Sequence, residues 1–205
     1  QSRIAGSSYG SELSRLGGGL HGVALCSPAP RCVETTELFL DAATAGVPGD
    51  GGARPELVTK RILYDGTMQP EGSRLFRSIG YAPLRDYVHN SDGSDREAAR
   101  DILGNYALSA LDAIGEVASS SLGGPTPEDI ARGDAADSTA TAKKTLLLFA
   151  HAIYLPAAAL GLAEACECNE AGINLCLDTN TKEAEGYLVN ISEQTVSLLS
   201  RPENR

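Results

Sequence analysis

The chain has 205 residues, 42% of them hydrophobic, but only 5% aromatic, with no Trp and three Phe. That length suits one domain with extended ends or at most two small ones, and its core must be built from Ala, Leu, Ile and Val. A net charge of -10 with no cluster of Lys and Arg argues against nucleic-acid binding, whose affinity comes from a basic face that neutralises phosphates, and leaves docking on a basic protein open.

Residues 1–31 are rich in Gly, Ser and Arg and lack periodicity, so they read as an extended arm. The spacing predicts a short helix over 33–46, ended by the Gly-rich stretch Val47 to Gly52. Pro55 and Glu56 make a favourable first turn for a helix over 55–65. Helical spacing continues over 73–89, with a break or kink at Pro83. The strongest signal lies at 94–122. Ser94 and Glu97 fit a capping box, and Ala99, Ile102, Leu103, Tyr106, Ala107, Ala110, Ile114 and Val117 follow the i, i+3, i+4, i+7 pattern. Thr126 and Pro127 open a further short helix.

A long helix is expected over 139–165, kinked at Pro156. Its stretch from Leu146 to Ala163 is apolar nearly all round, which suits either a membrane span or a helix covered by its neighbours. His151, Tyr154 and Pro156 in its middle favour the buried helix. The last helix is expected over 181–201, with Tyr187, Leu188, Ile191, Leu198 and Leu199 inward and Pro202 as its stop. These elements predict an all-α protein: an irregular arm with a short helix over 1–54, then an up-down four-helix bundle over 55–205.

Catalytic and cofactor motifs are absent. No HExxH, GxSxG, GxxxxGK[ST] or GxGxxG occurs. Asp178-Thr179-Asn180 opens like a calcium loop, but Glu183 and Val189 stand where that loop needs Gly and Glu. Asn190-Ile191-Ser192 fits a glycosylation sequon inside a predicted helix and reads as chance. His151, among Leu, Phe, Ile and Ala, reads as a satisfied core histidine. No catalytic residue, metal site or cofactor is expected.

The five cysteines fall into two local groups. Cys26 and Cys32 flank a short turn; Cys166, Cys168 and Cys176 form the second group. Candidate disulfides are Cys26–Cys32 and a bond from Cys176 to Cys168 or Cys166, which suits a secreted or lumenal protein. Reduced thiols in ordinary packing are the alternative. A zinc site lacks paired CxxC spacing and a nearby His. The chain begins at Gln1, which reads as a processed N-terminus.

The segments Ala184 to Arg201 (AEGYLVNISEQTVSLLSR) and Lys143 to Ala163 (KKTLLLFAHAIYLPAAALGLA) resemble the closing and third helices of the PsbQ-like extrinsic proteins of photosystem II. That resemblance implies a non-catalytic subunit in the thylakoid lumen. It would dock on protein subunits of a membrane complex, peripheral to the bilayer, and help retain calcium and chloride, its arm ordering on binding. Asn105 to Gly123 is similar to a helix of secreted four-helix inhibitors of cell-wall enzymes, which implies an inhibitor or protein-binding module as the alternative.

Overall fold

In the computed structural model, which describes residues 22–45, 54–65, 70–121, 145–151, 153–182 and 185–199, the central element is strand β1, Gly22–Cys26. Val23, Ala24, Leu25 and Cys26 are all buried. An apolar run covered on both faces is the signature of a central parallel strand. β2 (Glu56–Thr59) and β3 (Thr145–Phe149) pair with it in parallel on either side, in the order β2-β1-β3. Between β1 and β2 lies helix α1, Pro30–Ala45, which makes a βαβ unit.

Alternation along β1 divides the core. Val23 and Leu25 join the main apolar cluster with residues of α4, Gly93–Ser121. Cys26 instead meets Thr36 of α1. Between β2 and α4 come the short helices α2 (Ile62–Asp65) and α3 (Pro70–Ile79) and a π-helical turn, Asp86–Asn90. α4 buries Ala99, Ile102, Leu103, Tyr106, Ala110, Ala113 and Val117, the face its 3.6-residue period predicts. It packs along α5, Tyr154–Ala165. Gly161 allows that approach: a Cβ there would stand 3.0 Å from the Ala107 Cβ.

α6 (Glu170–Asp178) is capped by Asn169, whose Oδ1 accepts the Gly172 N–H at 2.8 Å. An antiparallel hairpin follows, β4 (Gly186–Asn190) paired with β5 (Thr195–Leu199). Tyr187, Val189 and Val196 pack on Ala159 and Ala163 of α5 and Cys176 of α6. At the end of α6, Arg85 pairs with Asp178 and donates to Asn174 Oδ1 at 2.8 Å.

The protein is therefore mixed α/β, and the expected all-α four-helix bundle is corrected. Residues 22–26, expected in an irregular arm, are the central strand. The run at 145–149, expected inside a long helix, is a parallel edge strand of consecutive apolar residues. A short buried strand and a buried helix segment share that composition, and periodicity does not separate them. The helix begins only at Tyr154, so Pro156 lies in its first turn and need not kink it. The expected helix over 181–201 is the hairpin, where Tyr187 and Val189 follow period two and pack on one cluster. The helix at 33–46 appears as α1 and that at 94–122 as α4. The short helix expected at Thr126 lies outside the described residues. Among the described residues no helix is long and apolar enough to cross a membrane.

Candidate functional site

From β1 the chain connects to β2 on one side, and β3 lies on the other. In open α/β sheets whose connections diverge in this way, ligands bind in the crevice outside the carboxyl ends of the strands. Four chemically capable side chains meet there. Ser27 follows the last residue of β1, Arg31 and Cys32 lie in the first turn of α1, and His151 stands two residues past β3. The strand ends are tied together by Ser27 N–H to Phe149 O, 3.4 Å, and Lys60 N–H to Cys26 O, 3.0 Å.

The turn into α1 follows from its residues. Ser27 Oγ accepts the Ala29 N–H at 3.4 Å, and Ala29 O accepts from Cys32 and Val33. Pro30 is the first helical residue, where its missing N–H is no loss. The positive end of the α1 dipole therefore faces the crevice, a setting that favours an anion.

His151 is half-buried. The Arg31 guanidinium lies 3.2 Å from its Nδ1, and its Nε2 lies 3.1 Å from Ser27 Oγ. Since Arg is always a donor, Nδ1 accepts and Nε2–H donates to Ser27. Burial, and then the Arg31 charge, push the His151 pKa down, so its neutral form is favoured. Cys32 Sγ sits 3.5 Å from Nε2 and 3.7 Å from Nδ1. Burial, and next the thiol of Cys26, push the Cys32 pKa up; Arg31 and Ser27 only partly oppose this. The ring of Tyr64 flanks His151, with centroids 6.5 Å apart. Among the described residues no carboxylate forms an ion pair with Arg31.

The candidate disulfide cysteines are all thiols in this structure. Cys26 and Cys32 are both buried and close enough for Cys26 to raise the pKa of Cys32. Cys168 and Cys176 share one apolar cluster with half-buried Cys166 at its edge. Burial drives the Cys176 pKa up to about 12. Among the described residues no group of three His, Cys, Asp or Glu is placed to hold a metal ion. Asp178, the first residue of the incomplete calcium loop, pairs with Arg85 instead.

His151, read from sequence as a core histidine, lies at the edge of the core beside three polar side chains. Ser27 and Arg31 carried no sequence expectation. Their signal was the order strand, Ser-Pro-Ala-Pro, helix start with Arg, which became legible only once 22–26 was seen as a strand.

No family model, curated protein or solved structure matches this chain.

Proposed function

We propose that the crevice binds a tetrahedral oxyanion, and that the protein is a phosphoryl-handling enzyme hydrolysing or transferring a phosphate ester. The observation that carries this reading is the convergence of Arg31, His151 and Ser27 at the ends of adjacent parallel strands. No carboxylate among the described residues neutralises the guanidinium. Donors arriving from the turn into α1 and from the end of β3 suit a group that presents several oxygens, and the α1 N-terminus favours its charge. Arg31 and the helix end would hold the phosphoryl oxygens. With Arg31 turned from His151 Nδ1 to the phosphoryl oxygens, the freed Nδ1 of the neutral imidazole would take the proton of the attacking water or alcohol and return it to the leaving ester oxygen.

A second reading has one observation in its favour, the Cys32–His151 contact at 3.5 Å, which is the layout of a thiol nucleophile and its base. The environment of Cys32 argues against it. A reactive thiol needs a lowered pKa, and this one is buried with its pKa raised. The lumenal docking function was attached to a four-helix bundle, which is not the fold of this chain, and no residue cluster described above adds support to it.

The test is calorimetric titration of the full chain with inorganic phosphate and with vanadate, alongside hydrolysis of p-nitrophenyl phosphate. Arg31→Ala should weaken oxyanion binding by about ten- to a hundredfold, the worth of a charge-assisted hydrogen bond. His151→Ala should abolish turnover, and Cys32→Ser should retain it. Absence of oxyanion binding to the unaltered chain at millimolar concentration would sink the reading.

A further inference from the structure

Tyr106 is 2% exposed, and its hydroxyl is the one buried side-chain polar atom found without a hydrogen-bond partner among the described residues. Native proteins rarely leave such a group unsatisfied, and an exception points to a partner supplied from elsewhere. The ring packs on Tyr154, with centroids 4.8 Å apart. Tyr154 is the first residue of α5, and its N–H bonds the His151 carbonyl at 2.9 Å. The phenol ring thus packs on the residue whose backbone N–H holds the His151 carbonyl. Its pKa is pushed up first by burial and next by the thiol of Cys32, the residue touching His151.

We propose that the Tyr106 hydroxyl serves the crevice as a positioning donor: it hydrogen-bonds to an oxygen of the bound oxyanion, directly or through one enclosed water. This rests on the oxyanion reading of the site and extends it. Arg31, Ser27 and His151 reach the ligand from the turn into α1 and the end of β3. A phenol rising from α4 supplies a donor from a separate element, and a tetrahedral group has oxygens left to receive it. A neutral donor suits that position, because burial keeps the phenol protonated at physiological pH.

The experiment compares the full chain with Tyr106→Phe, which removes one oxygen and leaves the ring packing on Tyr154. Phosphate and vanadate affinities are measured by calorimetry, and melting temperatures are measured without ligand. The expected result is affinity weakened by about tenfold or more with the ligand-free melting temperature unchanged or raised. In the unaltered chain, phosphate should induce a tyrosine difference spectrum that is lost in Tyr106→Phe. Unchanged affinity with a raised melting temperature would overturn the proposal, because the hydroxyl would then be an unserved core group. If Tyr106→Phe does not fold, the difference spectrum of the unaltered chain decides, and no phosphate-dependent change counts against the proposal. Failure of the site reading itself looks different: the unaltered chain would bind no oxyanion and Arg31→Ala would change nothing.

Discussion

Cys32 and Cys176 are both buried thiols whose pKa values are raised by burial, yet their surroundings differ. Cys32 lies at the carboxyl end of the parallel sheet beside an imidazole, a guanidinium and a hydroxyl. Cys176 lies under the β4–β5 hairpin among Ala159, Ala163, Tyr187, Val189 and Val196. One corner gathers donors and opens to water through exposed Arg31; the other is filled with carbon and sulfur. A pair of cysteines therefore says little about function, and the polar groups that the fold brings to a cysteine say more. Substitutions in the two corners should separate stability from binding.

The largest expected effect sits in the sheet. Leu25 is fully buried in the central strand β1 and joins the main cluster. Leu25→Ala should cost about 2–5 kcal/mol, the lost transfer energy plus the cavity, measured by urea denaturation. A cost below about 1 kcal/mol would mean that β1 is not the buried central strand.

Next comes the closed corner. A Cβ on Gly172 would stand 2.9 Å from Val196 Cγ2 and 3.2 Å from the Val196 backbone nitrogen. Because one neighbour is backbone, relief requires the hairpin to shift. Gly172→Ala should destabilise by about 1–3 kcal/mol, as overpacking does, and leave oxyanion affinity unchanged. A loss of affinity without a loss of stability would break the separation between the two corners.

How much of this was legible in the sequence depended on element length and on what each element packs against. Helix α4 carries enough turns for its period to show, and its buried set from Ala99 to Val117 follows the predicted stripe except that Ala113 is buried and Ile114 only half-buried. β1 and β3 have five residues each, β1 buried at the sheet centre and β3 half-buried at its edge, and both show a continuous apolar run and no alternation. β1 also follows a Gly-rich stretch and was absorbed into the arm. β3 runs almost directly into α5, so the two merged into one apparent helix. Losing these two strands hid the site, because Arg31 and His151 are 120 positions apart and only their parallel pairing makes them neighbours. The hairpin was hidden by coincidence, since apolar positions at 187, 188 and 198 satisfy a helical stripe as well as two short strands, while Ile191, expected inward, is exposed in the turn between them.

The smallest expected effect concerns pH, and it probes the open corner alone. Folding holds His151 below its ordinary value of 6.5, through burial and then Arg31. Between that lowered value and 6.5 the unfolded chain binds more protons than the folded one, so acidification through this window removes stability and raising the pH restores it. Above the window this contribution is fully present. Carboxylates add their own slope at lower pH, so the informative quantity is the difference between the unaltered chain and His151→Gln. Melting temperatures taken from about pH 7.5 to about pH 5.5 should fall less steeply in the variant. Added phosphate should flatten or reverse the slope of the unaltered chain, because an anion beside the imidazole favours its charged form. Identical slopes for the two chains, with or without phosphate, would show that His151 titrates as if it were in the unfolded chain. The contact with Arg31 would then have no electrostatic consequence, and the distinction between the two corners would lose its physical basis.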